Sequence, residues 1–218
     1  ITGSPVMDKW FDQQNNLRKK ENFFHDLNIN PNIPLITYLG SSKNIVGRNE
    51  KVIVEKIFKI LKKKGIQMII RPHGGNSGQF KSLASQIPVI PLQGDLPDTN
   101  KSEKLMIETL IYSSVCIGIN TTAMIDSVVL GTPCITLIKK EFDLGQSLTA
   151  HFKNIRKNNI FPEVFNEEDA CEKIEKIIHE GKSFINKNEI ENFCRPQGNQ
   201  ISSGKMASQF ILSLLKSN

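Results

Sequence analysis

The residues of this 218-residue chain best suited to chemistry are Asn120, Thr121, Thr122 and Asp126. They lie between Cys116 and Leu137, where a short apolar run breaks into small hydroxyl residues. An amphipathic segment follows, and Gly131-Thr132-Pro133 leads into a second apolar run. That order predicts strand, helix, strand. At the turn into the helix, hydroxyls stand beside backbone N–H groups that have no partner within the helix, and the helix dipole favours an anion there. Asp126 follows Thr122 by one turn and shares its face. A phosphate on the hydroxyls and a ribose on the carboxylate fit this arrangement. Plainer roles exist for each residue: Thr121 and Thr122 can cap the helix, and an acid near a helix start is acceptable on dipole grounds alone. Gly131-Thr132-Pro133 reads as a helix stop and strand start without chemistry.

A second group is Arg71-Pro72-His73-Gly74-Gly75, after the apolar run Gln67 to Ile70. Pro72 fixes the chain before His73, and Gly74 and Gly75 leave backbone N–H groups open beside it, an anion-binding pattern. His73 alternatively serves as a structural hydrogen-bonder. Arg71 can fork onto a diphosphate or pair with a nearby carboxylate. Gly40-Ser41-Ser42 follows a third apolar run and is small enough for a ligand to approach closely, with Ser41 as a contact. The polar segment Glu141 to Phe152 offers Gln146, Thr149 and His151 to a sugar or second phosphate, or forms an ordinary loop and helix start. His25 and His179 read as surface residues.

Regularly alternating elements carry these groups. A lysine-rich helix near Asn16 to Leu27 precedes the strand Leu35 to Leu39. A helix striped by Ile53, Ile57, Ile60 and Leu61 ends at Gly65, and Gln67 to Ile70 makes the second strand. Val89-Ile90-Pro91 reads as a short third strand, which makes Cys134 to Leu137 the fifth. Helices are predicted over Leu105 to Ile111, around Ala170 to Ile178, and at the end, where Ala207, Phe210, Ile211, Leu214 and Leu215 mark a face that packs. The alternation implies an α/β, Rossmann-like, mostly parallel sheet with helices on both faces, in a single domain over 1–218. Ligands of such sheets bind beyond the carboxyl ends of the strands, so the three loops should meet at one edge.

Four segments in register resemble the donor half of GT-B glycosyltransferases, and more closely the CDP-glycerol glycerophosphotransferase and capsular polysaccharide transferase branch. They are the Thr121-Thr122 pair with Asp126 and Gly131-Thr132-Pro133; Ile69-Ile70-Arg71-Pro72-His73; Ile1 to Asp8, similar to the linker that enters the half; and Phe193-Cys194-Arg195-Pro196-Gln197-Gly198, similar to the turn before the last helix. Gly74 departs from the family's more usual second Pro, implying a more mobile loop. The resemblance implies half of a GT-B fold, with 1–12 a linker from a missing N-terminal half and 199–218 the terminal helix. It implies a nucleotide-activated sugar or polyol donor of CDP, UDP or CMP type on Arg71, His73, Gly74, Asn120, Thr121, Thr122 and Asp126. It also favours His151 and sets Arg195 near an interdomain cleft, though a salt bridge is the alternative. The acceptor and the catalytic base belong to the other half, so no catalytic residue is assigned here. A sugar-nucleotide epimerase shares the fold, but its Gly-rich, acid-rich strand-helix turn is not reproduced by Asn120-Thr121-Thr122. A non-catalytic nucleotide-binding or scaffold module is the remaining class.

Composition is compatible with this reading. Apolar residues make up 39% and charged residues 23%, which describes a globular chain. No run approaches the roughly 20 residues of a membrane span, and no signal pattern opens the chain. The four cysteines are scattered without metal-like pairing and read as reduced thiols, pointing to the cytoplasm. The net charge of +6 lies on helix faces without interleaved aromatics, which favours a solvated surface over nucleic acid and leaves room for peripheral contact with an anionic membrane. Nothing calls for a cofactor, and no carboxylate cluster suits a metal.

Overall fold

A computed structural model describes residues 2–11, 17–181, 187–198 and 200–216. Parts of the expected linker and of the first and terminal helices, at 1, 12–16, 199 and 217–218, lie outside the described residues. Five strands form one all-parallel sheet in the order β2-β1-β3-β4-β5: β1 (Leu35–Leu39), β2 (Gln67–Arg71), β3 (Val115–Gly118), β4 (Cys134–Leu137) and β5 (Glu163–Val164). The helices are α1 (Asp8–Phe11), α2 (Lys20–Asp26), α3 (Lys43–Val46), α4 (Lys51–Lys63), α5 (Asn100–Ile111), α6 (Thr122–Val129), α7 (Ala150–Lys157), α8 (Glu167–Glu180), α9 (Lys187–Cys194) and α10 (Ser203–Lys216).

The strands are short apolar runs because both faces are buried. Ile36, Tyr38, Ile70, Ile117 and Ile135 pack with α4 and α8 on one side, while Leu39, Cys116 and Cys134 pack with α5, α6, α7 and α9 on the other. Phe23 and Phe24 of α2 cover Leu35 and Ile69. Strand order reverses between β1 and β3. That leaves a crevice at their carboxyl ends, because the crossovers to either side carry the helices away from it.

Two expectations are corrected. Val89 makes only an isolated bridge to Ile70, since the flanking Pro88 and Pro91 withhold ladder donors. Cys134–Leu137 is therefore the fourth strand, and the fifth is the two-residue β5. The terminal segment is helical and its first turn packs, but most of the expected face does not: Phe210, Ile211, Leu212, Leu214 and Leu215 are all exposed. The entry segment, conversely, is built into the domain. Met7 and Trp10 are buried in the core, and the Asp8 carboxylate accepts from Arg195 Nε at 2.9 Å and from the Ser203 and Gly204 N–H groups at 3.0 and 2.8 Å. No described helix is long and apolar enough to cross a membrane.

Candidate functional site

The crevice holds a cavity of about 220 Å³ lined from three strand ends: Gly40 after β1, Arg71, Pro72 and His73 at β2, and Thr121, Thr122, Ala123 and Asp126 after β3. The three expected loops do converge. Gly40 is close-packed because the β2 loop lies against it. A Cβ there would stand 3.2 Å from both the His73 nitrogen and the Pro72 Cα, so the glycine admits protein backbone as well as any ligand.

Arg71 and Asp126 are 5% and 4% exposed, and Arg71 Nη1 and Asp126 Oδ1 have no hydrogen-bond partner. Burial pulls the guanidinium down to about 10 and pushes the carboxyl up to about 7, the latter against the opposing charges of Lys9 and Arg71. A buried donor and a buried acceptor left unmade each carry a desolvation cost that a ligand can relieve.

His73 Nδ1 accepts from Gly75 N–H at 3.1 Å, which places the proton on Nε2 and leaves it as a donor. Burial lowers its pKa, favouring the neutral ring. The bond uses the Gly75 N–H that the sequence pattern left open for an anion. Gly74 is also spoken for: a Cβ there would meet the Gly94 carbonyl oxygen at 2.7 Å, so the residue that stands in place of a second Pro is demanded by close packing against Gly94. Thr121 is the N-cap of α6, yet its hydroxyl makes no capping bond, and Thr122 is exposed at the first turn.

Other expected contacts are engaged elsewhere. Gln146 is fully buried, its amide donating to the Ile119 and Leu137 carbonyls at 3.1 and 2.8 Å and accepting from Lys139 N–H at 3.2 Å, so it braces backbone instead of facing a ligand. Ser41 is fully buried; its hydroxyl accepts from Asn120 N–H at 3.2 Å, and the Asn120 amide donates to the Gly145 carbonyl. Thr149 caps α7, accepting from Phe152 N–H at 3.4 Å, and His151 is exposed on the same first turn; neither lines the cavity. Arg195 is buried against Asp8 and stacks 4.1 Å from the Phe11 ring, a structural pairing away from the cavity.

The opposite wall comes from residues outside every expected site. Val6, Lys9 and Trp10 of the entry segment, with Asp95, Leu96, Pro97 and Met106, complete the cavity. Lys9 Nζ bonds Glu103 at 2.9 Å and sits 4.4 Å from the Trp10 ring. The one tryptophan of the chain is the available sequence signal, but its distance along the chain from the other wall residues hides the contact.

No family model and no curated protein matches the chain. Solved structures do. The UDP-GlcNAc 2-epimerase of Methanocaldococcus jannaschii in complex with UDP-GlcNAc and UDP aligns at TM-score 0.62 and 17% identity, over 98% of this chain and 54% of that one. A variant of the wall teichoic acid polymerase TagF soaked with CDPG aligns at 0.59 and 16%, over 98% and 50%. The ADP-heptose lps heptosyltransferase II of E. coli aligns at 0.52 and 9%, over 76% and 53%. The chain thus spans about half the length of these similar structures. At such identities the likeness is one of fold, and the chain has the architecture of one Rossmann-like half of a GT-B fold.

Proposed function

We propose that this domain binds the nucleotide part of a nucleotide-activated sugar or polyol donor for a GT-B-type transferase that builds a cell-surface polymer at the inner face of the membrane. The observation that carries the reading is the pair of buried, unpartnered groups on one cavity, Arg71 Nη1 and Asp126 Oδ1. Their natural ligand carries an anion and hydroxyl donors together, as a nucleoside diphosphate does. In this reading the carboxylate accepts from the ribose hydroxyls. Arg71, His73 Nε2–H, the Thr121 hydroxyl and the first N–H groups of α6 face the phosphates, and the apolar wall of Val6, Trp10, Leu96 and Met106 takes the base. These donors would also stabilise charge developing on the leaving nucleotide. The nucleotide ligands named with the similar structures support the class, and the acceptor and base would come from another half.

The test is a calorimetric titration of the folded chain with CDP, UDP, CMP and the corresponding nucleosides, paired with thermal shift. Pyrimidine diphosphates should lead, and ligand at 100 times its dissociation constant should add about 2.7 kcal/mol. His73→Ala should weaken diphosphates far more than nucleosides, whereas Asp126→Ala should weaken both. No binding by any nucleotide sinks the reading.

A further inference from the structure

Beneath the cavity lies a polar network that the proposed site does not use. Glu50, fully buried just ahead of α4, accepts from the Ser41 N–H at 2.9 Å through Oε1 and from the Tyr38 hydroxyl at 2.7 Å through Oε2. Its own N–H donates to Gln79 Oε1 at 2.6 Å. Ser41 extends the network: its hydroxyl accepts from Asn120 N–H at 3.2 Å, and its carbonyl accepts from Asn76 Nδ2 at 3.3 Å. Gln79 Nε2 closes the circuit on the Asn76 carbonyl at 3.2 Å.

Each branch ends one step from the cavity. Gly40 precedes Ser41 and Thr121 follows Asn120, while Asn76 and Gln79 lie in the 3-10 turn (Gly74–Leu83) that His73 caps. Glu50 itself does not line the cavity. A carboxylate withdrawn from water costs several kcal/mol, so its presence needs a compensating use of both oxygens. Here the two oxygens tie the β1 loop to the strand beneath it, and the backbone N–H adds the β2 loop. Ser41 then carries the tie to the β3 loop. An apolar residue of the same size fills the space but offers no acceptor to the Ser41 N–H.

We propose that Glu50 is a positioning residue for the cavity, holding the β1, β2 and β3 end loops at the mutual spacing a ligand requires without touching the ligand. Its ligand readout rests on the nucleotide reading above; its structural readout does not.

Hydrogen exchange and nucleotide titration on the whole chain test it together. Glu50→Ala should speed exchange in residues 40–42 and, through Ser41, in 120–122, while strand amides and the turn after β2, whose ties run through the Glu50 N–H and the Ser41 carbonyl that alanine keeps, retain their protection; it should weaken CDP and UDP by about 10-fold, the equivalent of one buried hydrogen bond. Glu50→Gln keeps an acceptor for the Ser41 N–H and a polar partner for Tyr38, so binding should stay within about 3-fold of the parent. If Glu50→Ala does not fold, Ser41→Ala removes the hydroxyl that serves both Asn120 N–H and the Glu50 carboxyl while keeping the Ser41 N–H bond to Glu50, and should free residues 120–122 most. Faster exchange confined to Ser41, unchanged affinity in the folded alanine variants, or equal losses in Glu50→Gln and Glu50→Ala would overturn the proposal. If the parent chain binds no nucleotide, the donor-binding reading fails and the exchange pattern alone decides the role of Glu50.

Discussion

Asp126, the proposed ribose contact, shows how a buried carboxyl is held at a cost to the fold. Burial raises its folded pKa to about 7, against an unfolded value of about 3.9. Between those values the folded state keeps a proton that the unfolded state has released. Stability from this group is therefore greatest below pH 4, falls as pH rises toward 7, and stays reduced above it. Asp126→Asn should raise the unfolding free energy at pH 8 by a few kcal/mol, because each tenfold difference in proton affinity is worth about 1.4 kcal/mol, with little change at pH 4. Urea unfolding at the two pH values checks this, and equal effects at both would contradict it. The same variant should lose nucleoside affinity, the usual exchange of stability for function. In the sequence, residue types and spacing point to Asp126 and the threonine pair, but nothing there decides whether Arg71 meets a carboxylate or stays unpartnered. That depends on burial, which the fold imposes. The engagement of Ser41 and Gln146 with backbone is hidden for the same reason: a polar side chain in a strand-end loop looks alike in sequence whether it faces a ligand or a neighbouring backbone.

At the scale of elements, β1 and the stretch from β3 to β4 are plain in the sequence because apolar runs bounded by Gly, Pro and hydroxyl residues have few other solutions. β5 is two residues long and leaves no period to detect. The periodicity of α10 predicts a helix correctly but says nothing of what meets its apolar face. The most consequential omission is the entry segment, whose 3-10 turn (Pro5–Met7) and α1 are too short to signal and are fixed from a distance. Burial raises the Asp8 pKa, but the Gly204 and Ser203 N–H groups and Arg195 outweigh it and hold the carboxyl below its usual range. Its stabilising contribution is therefore present above the unfolded pKa and lost as pH falls through the folded one. Asp8→Ala removes the carboxylate that Arg195 Nε and the Ser203 and Gly204 N–H groups share, so it should cost about 3 kcal/mol in urea unfolding near neutral pH. It should also loosen α10, seen as faster exchange at Ser203 and Gly204. A change below about 0.5 kcal/mol would show that the anchor is decorative.

At the scale of the molecule, a row of exposed Phe210, Ile211, Leu212, Leu214 and Leu215 on α10 contributes no core. Phe210→Ser with Leu214→Ser should therefore leave the unfolding free energy within about 0.5 kcal/mol while reducing self-association in light scattering, and a large loss of stability would mean the face is packed after all. Transfer chemistry needs donor and acceptor in near-attack geometry. On the proposed donor-binding reading, this chain alone should bind nucleotides without turnover, and sustained transfer by it would relocate the catalytic machinery here. Val6, Lys9 and Trp10 both wall the cavity and form the path by which the chain enters the domain. A displacement of that segment therefore changes the shape of the cavity. By thermodynamic reciprocity, if the order of this segment favours occupancy of the cavity, an occupied cavity restrains the segment by the same free energy.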